Sequence, residues 1–309
     1  MKRSVIFMLL AILAGCSRPS VPARLDPAQL DGSNALVEVQ ALVQGGPRVA
    51  GTGGATRAAK HIAQRLQHYG VESQIDAFQE TVGSDSVAFN NVQGTLPGAG
   101  EGWVVLGAHY DLKGGLDPAF EGANDSGSGV GLLLELARVL RQCPRLPFSV
   151  LLAFFDGEEC RYAYGPHDGL HGSRRLAAQL VSDRRAARVK AVIVLDMIGD
   201  RNLSVTVPRN GSPDLMPRVF QAAVREGVRT QFSLYSSAIL DDHQPFLDAG
   251  MPAVDLIDFE YGSEPGRNDY WHTSADRLDK LDARSLGIVG RVVLSLLNDV
   301  ADADRKAHL

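Results

Sequence analysis

The chain has 309 residues, 45% hydrophobic and 22% charged, a balance that allows one large globular domain with a sizeable core. Its net charge of −5 and the lack of a long basic run exclude an electrostatic nucleic-acid binder, because phosphate binding needs a dense basic surface.

Residues 1–15 read as an address and not as fold. Lys2 and Arg3 precede the apolar stretch from Val5 to Leu13, which is too short to span a bilayer and has the proportions of a signal-peptide core. The stretch ends in Leu13-Ala14-Gly15-Cys16, which resembles the bacterial lipoprotein cleavage motif. That resemblance implies that Cys16 is lipidated and becomes the mature N-terminus, a membrane attachment through lipid in the cell envelope. Ser17 favours the outer membrane facing the periplasm on the same ground. The competing reading is a buried cysteine after an ordinary helix, but Ser17-Arg18-Pro19-Ser20-Val21-Pro22 has the composition of a tether. A tether is therefore expected over 16–34 and a single catalytic domain over 35–305. With Cys16 set aside, only Cys143 and Cys160 remain, which excludes a disulfide scaffold. One bridge between them and two small, mostly buried thiols are both open.

Beyond the tether, strand and helix signals alternate without an internal repeat. Apolar residues at helical spacing predict a helix over Thr56 to Tyr69, stopped by Gly70. Short strands are expected at Val71 to Phe78, Trp103 to Leu106, Ser149 to Phe155, Ala191 to Leu195 and Ala253 to Ile257. Further helices fall at about Gly127 to Gln142, Ser173 to Val181, Pro217 to Glu226 and Ser285 to Leu297. The alternation predicts an α/β fold, a three-layer α/β/α sandwich around a mainly parallel mixed sheet.

Polar residues collect just after the strands. His109 and Asp111 follow Val104-Val105-Leu106-Gly107-Ala108, Asp196 closes Val192-Ile193-Val194-Leu195, and Glu158 and Glu159 follow Phe148 to Phe155. In open α/β sheets the carboxyl ends of strands form the ligand crevice. Two adjacent carboxylates at the end of a buried strand need a reason to hold like charges together, and a divalent cation is the commonest one. Asp125, in Gly122-Ala123-Asn124-Asp125-Ser126-Gly127, adds another carboxylate, unless it only caps the following helix. His272, in Tyr270-Trp271-His272-Thr273, is the last candidate, with a purely structural histidine as its plainer reading.

Together His109, Asp125, Glu159, Asp196 and His272 make a mixed nitrogen and oxygen donor set suited to zinc. Glu158 is left as a carboxylate beside the metal, which is what metal-assisted hydrolysis or acyl transfer requires.

The stretches Gly107 to Asp111, Gly122 to Gly129, Phe154 to Glu159, Leu195 to Gly199 and Trp271-His272-Thr273 resemble the zinc aminopeptidase and glutaminyl cyclase superfamily, in family order. The long insert between Glu159 and Gly172-Ser173, with Pro166, Asp168 and Leu170, resembles the cyclase branch. So does Asp241-Asp242-His243-Gln244-Pro245-Phe246-Leu247. This resemblance implies that Asp125, Glu159 and His272 hold one zinc and that Glu158 shuttles a proton while an N-terminal glutamine closes to pyroglutamate. Asp241 and Asp196 are then expected to hydrogen-bond with the base and the reacting nitrogen, and Trp271 and Tyr164 to wall the pocket. The rival is a two-zinc aminopeptidase in which His109 and Asp196 bind a second metal and Asp125 bridges the pair. A surface binding protein on an inactive scaffold is the third reading, against which every ligand and the base are present.

Three features depart from the animal cyclases. Tyr164 stands where they carry tryptophan, Asp255 where they carry histidine, and Glu260 to Arg267 reads as an inserted surface loop. Arg174-Arg175, Asp183-Arg184-Arg185, His167 and His171 read as surface groups.

Overall fold

In the computed structural model, which describes residues 24–307, the apolar runs become the middle of one sheet. Cys16 and the export signal lie outside the described residues. The strands are β1 (Glu72–Val82), β2 (Asp85–Leu96), β3 (Gly102–His109), β4 (Phe148–Phe155), β5 (Val189–Asp196), β6 (Val205–Pro208), β7 (Phe232–Tyr235) and β8 (Ala253–Ile257). They lie in the order β1-β2-β4-β3-β5-β8-β6-β7. The central four, β4, β3, β5 and β8, are parallel, while β1 and β2 form an antiparallel hairpin at one edge and β6 runs against β8 at the other. The mainly parallel mixed sheet is the one expected.

The helices are α1 (Gly32–Gln44), α2 (Gly53–His68), α3 (Gly127–Gln142), α4 (His171–Ser182), α5 (Met216–Arg225), α6 (Gln244–Asp248) and α7 (Ala283–Ala307). The period-two pleat divides each central strand between two cores. Val104, Leu106, Val150, Leu152, Ile193 and Leu195 join the larger one with α1, α2, α3, α5 and α7. Val105, Leu151, Phe155, Val192 and Val194 face Leu176 and Leu180 of α4 and Phe246 of α6. Strands buried on both faces read as continuous apolar runs, which is why these were legible.

The expected tether is too long at its C-terminal end. Leu25 and Leu30 are buried in the larger core, the Asn298 side chain bonds both the N–H and the carbonyl of Leu25 at 2.9 and 3.0 Å, and Asp31 caps α1 through the N–H of Ser33 at 2.8 Å. The folded domain thus includes this stretch. Cys143, half-buried, and Cys160, buried, are both free, so the bridge left open between them does not form.

Glycines at the start of α3 let it sit directly on the sheet. A Cβ on Gly129 would come within 2.3 Å of the Leu195 carbonyl oxygen, and one on Gly131 within 2.6 Å of the Ala35 carbonyl of α1. This close approach to β5 and α1 fixes where Asp125, just ahead of α3, is held.

Candidate active site

The parallel strands bring their carboxyl ends to one edge, and the site is built there. His109 ends β3 and Asp196 ends β5, while β4 runs on through Asp156 to Gly157, whose φ of 74° turns the chain before Glu158. Asp111, fully buried, accepts the N–H of Glu158 at 3.1 Å and of Glu159 at 3.2 Å. One carboxylate thus pins both backbone amides, and the two glutamate side chains take different first partners. Glu159 reaches His272, and Glu158 reaches Tyr164.

Asp125 does not cap α3. Ser126 holds the cap position and makes no side-chain cap bond. The Asp125 carboxylate instead faces two histidines, with Oδ1 3.2 Å from His109 Nε2 and Oδ2 3.2 Å from His272 Nε2. Its loop is held from below. Asp276 accepts the N–H of Asn124 at 2.8 Å and of Asp125 at 3.0 Å, and also the Tyr261 hydroxyl at 2.9 Å. Arg48, buried, donates to the carbonyls of Tyr110, Glu121 and Gly122 at 2.7, 3.1 and 2.6 Å. Burial pulls its pKa down to about 10 against the attraction of Asp276, Asp125 and Asp111, so the guanidinium stays charged beneath the acidic cluster.

Two groups of side chains could hold a divalent cation: Asp125, Glu159 and His272, and His109, Asp125 and Asp196. In the first, His272 Nε2 lies 2.7 Å from Glu159 Oε1 and 3.2 Å from Asp125 Oδ2. In the second, His109 Nε2 lies 3.2 Å from Asp125 Oδ1 and 3.3 Å from Asp196 Oδ1. A ring nitrogen carries at most one proton, yet each of these faces two carboxylate oxygens. A cation at either place would use the nitrogen lone pair and both oxygens at once, so the donor chemistry fits a metal better than a hydrogen-bond network. His272 has a backbone φ of 57°, a left-handed value that costs a non-glycine residue about 1–3 kcal/mol and recurs at ligand clamps.

The electrostatics agree. Burial, then the charge of Glu159, pushes Glu158 well above the usual carboxylate range, and burial, then Asp125, raises Glu159. Asp196 and Asp241 rise mainly through burial as well. For Asp125 burial also opposes the charge, but its bonds to His109 and His272 outweigh it and hold the carboxyl below its ordinary value. His272 is penalised by burial and still raised to about 10 by Asp125 and Glu159. Such a concentration of buried negative charge calls for a cation.

A cavity of about 300 Å³ opens over the first group, lined by Glu158, Glu159, Tyr164, Asp196, Asp241, Phe259, Trp271 and His272 among others. Trp271 stacks on His272 with ring centres 4.2 Å apart and leans on Phe259 at 5.6 Å. The hydrogen bonds to the Glu158 carboxylate come from the Tyr164 hydroxyl, not from Asp241 or Asp196. Asp196 turns to His109 instead, and Asp241 accepts the N–H of Asp242.

The surface reading of His171 is corrected, and those of Arg174-Arg175 and of the Glu260 to Arg267 loop hold only in part. His171 is buried, bonded to Glu80 at 2.6 Å and stacked on Phe89 at 4.4 Å. Arg174 binds the carbonyls of Gly165 and Pro166 in the insert, and Arg175 pairs with Asp76 at 3.0 Å. The Glu260 to Arg267 loop is anchored by Tyr261, which is fully buried with its hydroxyl on Asp276.

The family model for peptidase family M28 matches residues 91–297, which contain His109, Asp125, Glu158, Glu159, Asp196, Asp241 and His272. The chain belongs to peptidase family M28. It is 30% identical over 292 residues to the glutaminyl-peptide cyclotransferase of Boiga irregularis, covering 81% of this chain and 78% of that protein. A solved glutaminyl cyclase from an Acidobacteriales bacterium superposes with a TM-score of 0.85 at 32% identity, over 93% of this chain and all of that one (100%). A Zn-dependent exopeptidase from Parabacteroides distasonis superposes with a TM-score of 0.76 at 26% identity, over 87% and 98%. The M28 fold and the cyclase-like branch expected from sequence are thereby shown.

Sequence reasoning missed Arg48 and Asp276, and noticed Asp111 without a role for it. Asp276 was within reach, since it lies in the same short stretch as His272, in His272-Thr273-Ser274-Ala275-Asp276. Asp276→Asn puts an amide donor against the backbone N–H groups that carry Asp125. It is expected to weaken divalent-metal affinity roughly 10- to 100-fold, as outer-shell changes do, in a metal titration of the folded protein. Wild-type affinity in that variant would show that Asp276 does not order Asp125.

Proposed function

We propose that the chain is a zinc-dependent glutaminyl cyclase that converts the N-terminal glutamine of peptides and proteins to pyroglutamate and ammonia. The observation that carries this reading is Glu158, which faces the cavity yet belongs to neither group that could hold a metal. A cavity of about 300 Å³, at the small end of ligand pockets, suits one residue better than a length of peptide. Likeness to glutaminyl cyclases supports the same substrate.

Asp125, Glu159 and His272 would hold one zinc, which when bound supplies a Lewis acid for the side-chain carbonyl of the substrate. Glu158 takes a proton from the α-amine as that nitrogen bonds to the carbonyl carbon. It returns the proton to the amide nitrogen as the C–N bond breaks and ammonia leaves, so the carboxylate is regenerated. Trp271 and Tyr164 wall the cavity, and Asp241 and Asp196 stand where they can hold the substrate's nitrogens. Confining amine and amide together lowers the barrier through orientation.

A second reading has its own observation. Asp125 turns one oxygen to each histidine, the arrangement a carboxylate bridging two zinc ions would take, with Glu158 as base for a water that cleaves a peptide bond. The zinc-loaded protein offered both glutaminyl peptides and aminoacyl chromogenic substrates is expected to release ammonia and little free amino acid. Amino-acid release without cyclisation sinks the cyclase reading. Glu158→Gln is expected to keep zinc and lose roughly 10²- to 10⁴-fold in turnover, whereas Glu159→Gln weakens zinc binding. Equal metal loss in both variants would mean that the two roles are misassigned.

We propose also that lipid on Cys16 holds the enzyme in the bacterial envelope, on the outer membrane facing the periplasm. The composition of residues 1–22 supports this. In a bacterial host, Cys16→Ser is expected to move the protein from the membrane fraction to the soluble one, and a variant still sedimenting with membranes contradicts the anchor.

A further inference from the structure

The insert between Glu159 and α4 is folded around one carboxylate. Asp168 accepts the N–H of Arg161 at 2.7 Å, Tyr162 at 2.7 Å and Ala163 at 3.0 Å, and Arg174 of α4 ties down the carbonyls of Gly165 at 2.7 Å and Pro166 at 3.0 Å. The residue this closed turn presents is Tyr164. Its ring lies against Gly169, where a Cβ would come within 2.5 Å of the ring, and Lys113 Nζ stands 5.6 Å from the ring centre on the way to Glu159. The hydroxyl is thereby placed 3.1 and 3.2 Å from the two oxygens of Glu158 and 3.3 Å from Glu159 Oε2. Among the described residues, no other hydrogen bond reaches the Glu158 carboxylate.

We propose that Tyr164 is a positioning residue that sets the orientation of Glu158 for proton transfer, an inference that rests on Glu158 being the proton shuttle of the proposed reaction. The phenol has one proton and sits almost evenly between the two Glu158 oxygens, so donating to Glu158 fixes the rotation of that carboxylate. The same hydroxyl also lies 3.3 Å from Glu159 Oε2, while Glu159 Oε1 turns to His272, so the phenol is the contact that the two carboxylates share. A tryptophan at this position would wall the cavity but bring no hydroxyl. The long insert therefore supplies the base with its orienting partner as well as giving the pocket a side.

The test uses Tyr164→Phe, which keeps the ring and removes the hydroxyl. It is expected to lower kcat roughly 10- to 100-fold, the scale of a misplaced catalytic group, with KM changed less than about 2-fold and zinc content and thermal midpoint unchanged. An unchanged kcat, or a loss confined to KM, overturns the proposal. Added to Glu158→Gln, Tyr164→Phe is expected to cause no further kcat loss, because the carboxylate it orients is already gone. Multiplying losses in the double variant would contradict a shared role. Glu158 is the base in both peptide cyclisation and peptide hydrolysis, so the comparison is made on whichever product the wild type releases. A wild type that releases amino acids defeats the cyclase reading, while the Tyr164→Phe ratio still decides this one.

Discussion

Negative charge held together without water is the constraint on which this structure depends. Asp125, Glu158, Glu159, Asp196 and Asp241 are all nearly buried at one edge of the sheet, and Asp111 and Asp276 lie buried just beneath. Removing one ionised carboxylate from water costs several kcal/mol, and neighbours of like sign add to that cost. Arg48 offsets part of it from below, and the two histidines bond what they can reach. Each histidine faces two carboxylate oxygens with one nitrogen, a donor set that suits a divalent cation at either place.

Much of the scaffold exists to hold that charge in place. Asp111 fixes two amides at the adjacent glutamates, and Asp276 fixes two amides so that Asp125 presents its carboxylate to the histidines. Asp168 does the same for the insert that carries Tyr164. In each case a buried carboxylate accepts backbone N–H groups of a loop, a bond stronger than that between neutral partners. The acids around the centre thus divide into those that hold backbone and those left to bind a metal or move a proton.

The sheet was legible because β3, β4, β5 and β8 are buried on both faces and read as apolar runs. The site residues were legible because they follow those runs directly. β2 escaped notice because Asn90, Asn91 and Gln93 interrupt it. Yet Asn91 is spent on the carbonyl of Gly172 and the N–H of Asp156, a use that no local pattern displays. α1 was hidden by Glu38, a buried acid whose partner Arg65 comes from α2. Tyr261 and His171 looked like surface residues because their partners, Asp276 and Glu80, lie 15 and 91 residues away, beyond any local pattern. Local periodicity carries the elements, whereas long-range side-chain bonds decide which polar residues go inside.

The division of labour between the adjacent glutamates is the centre of the account, and diffraction from zinc-loaded crystals at the zinc absorption edge tests it most directly. The account predicts a zinc ion within about 2.0–2.2 Å of Asp125 Oδ2, Glu159 Oε1 and His272 Nε2, with the Glu158 carboxylate uncoordinated beside Tyr164. Zinc bound by Glu158, or found only between His109 and Asp196, would contradict it.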